Sequence, residues 1–326
     1  MEVKNLKNLY IKVKNNIQVA YDYINGEYYY YQDTSLDEPN IKYKLSPISV
    51  CWLIENNCNL NCIYCFAENK NNCPMANYKN VVDNILTLDP LTIILTGGEP
   101  TLNRKISGII EYIGDKAFTI IDSNGTTECW EEIIPKLKNS LVRFSIDSLN
   151  CDIIKIVRPS KIIDATEKQI ETITKNIKLL RDNNIPVIIQ TVMTKYNVEE
   201  LEEIYSYLLE LGVQRWYISA VKYSDKCKNN YNDICLTAEE IEKVKAKIDK
   251  FNTDKINITF SLEKNAGARA RLFVEKSGKF FIDTIKDGIC YIGDNPTIKN
   301  IQSELDVEEH HNLYIKKKNI IKRNIK

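Results

Sequence analysis

An α/β fold built on a parallel sheet is what this chain of 326 residues predicts, on three observations. Its longest apolar runs have the length of strands, they alternate with amphipathic stretches of helical period between residues 48 and 222, and the chemically informative residues fall where the runs end. Unbroken apolar strands separated by helices are the pattern of a parallel sheet covered by helices. A β meander over residues 1–47 precedes this core, and a small α+β extension over residues 223–326 follows it.

Taken in order, residues 9–13, 17–24 and 27–31 alternate, and Asn25-Gly26 between the last two is a hairpin signal. The tyrosines of this meander, Tyr28 to Tyr31 among them, are expected to pack across strands. Residues 48–54 form the first strand of the core, residues 78–86 a helix and residues 91–95 the second strand. Strands at 117–121, 141–146 and 186–192 follow, trailed by helices near 129–138, 165–183 and 197–211, and residues 215–219 are the sixth strand. Asn197 with Glu200 three positions on reads as an N-cap box. After a loop over 222–236, Thr237-Ala238-Glu239-Glu240 caps a helix reaching about Phe251.

Composition narrows the function classes. The chain is 44 % apolar and 27 % charged with a formal net charge of zero, so attraction to nucleic acid or to an anionic membrane is not expected. No apolar run approaches the ~20 residues of a membrane span, and residues 1–7 lack the apolar core of a signal peptide, so a cytoplasmic protein is expected. Ten cysteines then read as metal ligands and reduced thiols.

Cys58, Cys62 and Cys65, in Cys58-Asn59-Leu60-Asn61-Cys62-Ile63-Tyr64-Cys65, are spaced to cap three corners of one 4Fe–4S cube and leave one iron open. Zinc would want a fourth ligand; Cys73 is nearby, but both histidines, His310 and His311, lie at the far end. The next strand ends in Thr96-Gly97-Gly98-Glu99-Pro100, where glycines let the backbone approach a ligand and a carboxylate can receive an ammonium group. In this order the two motifs resemble the radical S-adenosylmethionine (SAM) superfamily.

That resemblance implies a partial (β/α)6 barrel of TIM type, with ligands at the carboxyl ends of its strands. It implies one 4Fe–4S cluster on Cys58, Cys62 and Cys65, and SAM whose amino group is held at Gly97, Gly98, Glu99 and Pro100. Asn124 would face the SAM carboxylate or ribose, Ser145 and Asp147 the ribose, Arg158 the carboxylate, and Tyr64, Thr191 and Val192 the adenine. An electron donor such as flavodoxin or ferredoxin is implied as a partner. Cluster and SAM together imply a 5′-deoxyadenosyl radical that abstracts hydrogen from a substrate.

The C-terminal layout, Ala266-Gly267 followed by residues 271–283 with Ser277-Gly278, resembles the SPASM or twitch modules of peptide-modifying members. Where those carry cluster cysteines this chain has Asn265 and Asp283, and Cys290 stands by itself, so the module reads as degenerate. A ribosomally made peptide, crosslinked or epimerised, is the first expected substrate, with Cys227 or Cys235 as hydrogen donor in an epimerisation. A viperin-like nucleotide dehydration is the second reading, since such chains also pair one cluster with a Cys-Phe as in Cys65-Phe66 and a cluster-free tail. A cluster-bearing sensor or scaffold is the third. The six basic residues after position 315 read as a solvated terminus.

Overall fold

The computed structural model describes residues 8–14, 17–32, 46–65, 73–162, 165–224, 226–251, 254–262, 270–284, 288–306 and 308–310. Asn265, Ala266-Gly267, Phe66 and the basic tail lie outside them.

β1 (Leu9–Lys14), β2 (Ile17–Asp22) and β3 (Glu27–Gln32) form the antiparallel meander. Its second turn is held by the Asp22 carboxylate, which accepts from the amides of Ile24 and Asn25, and Gly26 takes the left-handed φ of +62°. The core then runs β4 (Ser49–Glu55), α1 (Tyr78–Thr87), β5 (Thr92–Gly97), α2 (Ile106–Ile113), β6 (Phe118–Ser123), α3 (Trp130–Ile133), β7 (Ser140–Ser145), α4 (Cys151–Val157), α5 (Gln169–Asp182), β8 (Val187–Met193), α6 (Leu201–Glu210) and β9 (Arg215–Ala220). The extension supplies α7 (Tyr231–Ile234), α8 (Ala238–Ile248), β10 (Asn257–Ser261), β11 (Leu272–Val274), β12 (Phe280–Thr284), β13 (Gly288–Gly293) and α9 (Ile298–Glu304).

The expected six parallel strands are present, and the sheet does not stop with them. Its order is β10-β9-β8-β7-β6-β5-β4-β11-β12-β13. β10 pairs in parallel with β9, and β11 pairs in parallel with β4 at the other side before β12 and β13 return antiparallel. The sheet therefore crosses the expected boundary after residue 222 without a break.

Alternation divides the strands cleanly. Val50, Trp52, Ile93, Leu95, Ile121, Val142, Phe144, Ile189 and Trp216 lie under the helices, in one core with Ile109 of α2, Ile177 of α5 and Leu208 of α6. Ile94, Ile120, Leu141 and Ile188 face inward, into a second core closed by Tyr21 and Tyr28 of the meander. Tyr10, Tyr21 and Tyr23 surround the Phe118 ring, and the Tyr28 hydroxyl bonds Thr92, which in turn reaches Ser49. The meander thus seals the amino-terminal end of the barrel and leaves the carboxyl end for ligands.

His310 ties the extension to the start of the core. Its buried ring accepts from the Ile48 amide at Nε2 (2.9 Å) and, at Nδ1, donates to the Ala270 carbonyl (2.7 Å). Two helix starts differ from expectation. Asn197 does not cap α6: it is wholly buried, and its side chain turns back to the carboxyl end of the sheet. Thr237 caps α8 with the full reciprocal box.

Candidate active site

The segment after β4 approaches the end of β5 so closely that side chains are excluded there. Gly98 donates to the Glu55 carbonyl (2.6 Å) and Glu99 to that of Asn57 (2.8 Å). A Cβ on Gly97 would stand 2.1 Å from the Glu55 carbonyl oxygen, and one on Gly98 2.2 Å from that of Asn57. Gly97 also has φ +132°. The two glycines therefore lock the strand end against the entry to the cysteine loop.

On its other side the loop is fastened to the segment after α4: Asn61 donates to the Pro159 carbonyl, Ile63 to that of Val157, and Lys161 to that of Asn59. Cys58, Cys62 and Cys65 are half-buried thiols, in no disulfide, near enough to sense one another's charge. Burial raises the pKa of Cys58 and pushes that of Cys62 up to about 12, with the neighbouring thiols adding to both. No group of three His, Cys, Asp or Glu side chains among the described residues converges as the ligands of a single metal ion do. Three thiolates that each take a different iron of one cube, leaving the fourth iron open, are the donor set such a cluster needs.

Glu99 is wholly buried. One carboxylate oxygen accepts from the Thr101 amide (3.1 Å), the Thr101 hydroxyl (2.5 Å) and the Ser123 hydroxyl (2.8 Å); the other accepts from the Asn124 amide (2.7 Å). Burial raises its pKa above the ordinary carboxylate value, while those donors pull it down. Glu99 thus joins the ends of β5 and β6, and Pro100 opens the short turn that Glu99 caps.

Asn124 holds an Asx turn by accepting from Thr126 and reaches the cysteine loop with its amide, 2.8 Å from Asn59 Oδ1 and 3.8 Å from Cys58 Sγ. Asp147 gathers several expected residues. It accepts from the Val192 amide (2.7 Å), from the Tyr64 hydroxyl and from Arg158 (3.3 Å). Arg158 also donates to the Ser145 carbonyl (2.5 Å) and the Asn124 carbonyl (3.0 Å), while its buried Nε has no partner. The arginine is therefore held by the chain itself, with one donor in reserve.

Two expectations are corrected by this geometry. Thr191 does not line the site with Val192: neighbouring residues of a strand face opposite ways, and Thr191 is buried on the helix side, donating to the Ile146 carbonyl and accepting from Trp216 Nε1. Cys227 is fully buried, its thiol accepting from the Ser224 amide and facing the Lys222 carbonyl, so it lacks the exposure a hydrogen donor needs. Its loop does reach the site, where the Ser224 hydroxyl donates to the Cys65 carbonyl. Cys235 is half-buried in the same cluster, with Tyr64 and Val192.

Sequence reasoning missed three groups. Asn197 donates to the Asp147 carbonyl (2.6 Å) and the Val192 carbonyl (2.9 Å) and so braces the adjoining strand ends. Lys276, in the turn between β11 and β12, binds both oxygens of Glu55 (2.9 and 3.0 Å) at the root of the cysteine loop. Asp122 and Arg143 form a bidentate ion pair on the inner face of β6 and β7. For the last two groups the partners lie 221 and 21 residues apart in sequence, so the pairing leaves no local signal.

Residues 52–208 match the radical SAM superfamily. The chain is 32 % identical over 254 residues to an uncharacterised protein of Methanocaldococcus jannaschii, spanning 74 % of this chain and 86 % of that one. It is 29 % identical over 185 residues to the S-adenosylmethionine-dependent nucleotide dehydratase of Selenomonas ruminantium, spanning 52 % of this chain and 64 % of the enzyme. In fold it is similar to Streptococcus suis SuiB in its crystal structure bound to precursor peptide SuiA, with a TM-score of 0.62 at 12 % identity over 84 % of this chain and 81 % of SuiB. The chain belongs to the radical SAM superfamily. It is an enzyme that uses SAM and a 4Fe–4S cluster.

Proposed function

We propose that this enzyme acts on a peptide, abstracting hydrogen to form a crosslink or to epimerise a residue. The observation that carries this reading is the inner wall of the barrel above its apolar floor. Thr96, Gln190, Tyr217, Ser219 and Thr259 share that face by strand alternation and register, and all are half-buried. Neutral donors and acceptors of this kind suit amide groups.

In this reading Cys58, Cys62 and Cys65 hold the cluster, Gly97 to Pro100 receive the amino end of SAM, and Arg158 turns its free Nε to the carboxylate. Asp147, Asn124 and Ser145 take the ribose side, and Tyr64 and Val192 the adenine. The bound cluster supplies the single electron on which SAM cleavage depends. The chain's own part is to fix these groups from the ends of five strands, β4 to β8, at once and to keep the reacting edge half-buried, away from bulk water.

Nucleotide dehydration remains the second reading, favoured by the 29 % identity to the Selenomonas enzyme. Against it stands the state of the cations along the lumen and its mouth: Arg143 shares its charge with Asp122, Arg158 with Asp147 and Lys276 with Glu55, so none of these three offers an uncompensated positive charge to a triphosphate. The two readings separate in one assay, anaerobic release of 5′-deoxyadenosine from the reconstituted protein. Capped neutral peptides, or peptides encoded beside the gene, should raise the release, and CTP, GTP and UTP should not. Stimulation by a triphosphate alone would reverse the assignment.

A further inference from the structure

Asp122 and Arg143 are placed where an apolar pair would be the economical choice. They follow Ile120 and Leu141 on the inner face of β6 and β7, directly above the floor closed by Tyr21. Their outward neighbours Ile121, Val142 and Phe144 are wholly buried. Yet the two side chains keep 26 % and 22 % of their surface accessible in the middle of a sheet, so they face an open lumen.

A buried ion pair is a weak source of stability, and well-packed apolar residues replace such pairs at little or no loss. This pair is, moreover, only half engaged. Arg143 offers Nε and Nη2 to the two oxygens of Asp122. Its Nη1 bonds no described residue, and the outer lone pairs of the carboxylate are left over. One register step higher on the neighbouring strands stand the Gln190 carboxamide and the Tyr217 hydroxyl, which pair with no described residue either.

We propose that Asp122 and Arg143 are the anchor of the substrate, taking the primary carboxamide of an Asn or Gln side chain of a peptide, whose oxygen and syn N–H share one edge, at the bottom of the barrel. The amide oxygen would accept from Arg143 Nη1 while its N–H donates to Asp122, with Gln190 and Tyr217 bonding the next amide above. The pair carries no net charge, so it selects a neutral group over a carboxylate, an ammonium or a phosphate. This rests on the peptide reading above and adds to it the residues that decide which peptide segment is taken.

The test is retention on the full-length, anaerobically reconstituted protein with SAM. The probe is an equimolar library of acetylated, amidated pentapeptides whose central residue is neutral (Asn or Gln), acidic (Asp or Glu) or basic (Lys or Arg), with CTP added as a separate ligand. Wild type should retain the neutral members. Asp122→Asn, which leaves Arg143 unbalanced, should shift retention toward acidic members by about tenfold, and Arg143→Gln toward basic members by a similar factor. Gln190→Met, which leaves the pair untouched and keeps the volume, should lower retention of the neutral members about threefold, and serves if the charge variants unfold.

An unchanged charge ranking in folded single variants would make the pair structural and overturn the anchor, leaving the peptide reading standing. Should the charge variants unfold, full retention by Gln190→Met overturns it equally. Failure of wild type to retain any library peptide overturns the proposal, and CTP retained in the same run would trace that failure to the peptide reading itself.

Discussion

At Glu99 a carboxylate that looked like a receiver for an ammonium group turns out to be engaged by the chain on nearly every side. Its acceptor set is matched to donors only: two amides and two hydroxyls. Glu99→Gln puts an N–H₂ among those donors, so at least one hydrogen bond becomes a repulsion and one buried donor is orphaned. The expected cost is about 2–3 kcal/mol, read as a lower unfolding midpoint in urea together with weaker equilibrium binding of SAM. Weaker SAM binding with unchanged stability would assign the carboxylate to the ligand alone. The cysteines give a second expectation. Changing Cys58, Cys62 and Cys65 together to Ala should abolish the iron content, which in the wild type should reach about four atoms per chain. About eight irons in the wild type, or iron surviving the triple change, would place a second cluster on other thiols.

At the scale of elements, the turn between β11 and β12 is a clamp on the cysteine loop. Besides Lys276 on Glu55, Trp52 Nε1 donates to the Glu275 carbonyl, Ala76 donates to that of Lys276, and the Tyr291 hydroxyl reaches the Glu275 carboxylate (2.5 Å). Burial of Glu55 raises its pKa, and Lys276 with the amides of Asn56 and Asn57 more than offsets this, so the folded value lies below the ordinary 4.5. A depressed folded value means stability that is present above 4.5 and lost as the pH falls through the folded value. Lys276→Met should flatten that acid limb of the melting temperature, as the pH falls below 4.5. An unaltered limb would remove the ion pair from the account.

These elements also show what was legible in advance. Strand period identified Ser145 and Asp147 as sharing a face, and the same period rules out Thr191 and Val192 as a pair. Asn197 carried the signature of a cap, but a buried carboxamide between two carbonyls leaves the same residue type at the same place. β4 to β9 announced themselves as apolar runs, whereas β10, with Asn257, Thr259 and Ser261 alternating, is amphipathic and brief. The pairing of β11 with β4 is set by tertiary contact alone, so nothing local could have announced it.

At the scale of the whole molecule, the extension is part of the barrel and not an appendage to it. β10 continues one end of the sheet, β11 the other, and His310 closes the first residues of the core over a separation of 262 positions. His310→Ala orphans the buried Ile48 amide and the Ala270 carbonyl, at an expected cost of about 2–4 kcal/mol, measured by urea unfolding. Loss of the β11–β13 segment alone should be transmitted to iron retention, because the clamp on Glu55 goes with it. A chain ending after residue 262 that still holds its iron would show the clamp to be dispensable.

That clamp sets a timetable. Glu55 and Lys276 are 221 residues apart, so at about 5–20 residues per second a ribosome makes the second roughly 10–45 s after the first. Throughout that interval β4 has a bare flank and the three thiols hang on a loop whose root lacks its ion pair. Iron offered to the nascent chain would meet thiols not yet held in place. The cluster is therefore expected to be installed after release from the ribosome, and pulse-labelled chains still in synthesis should carry no iron.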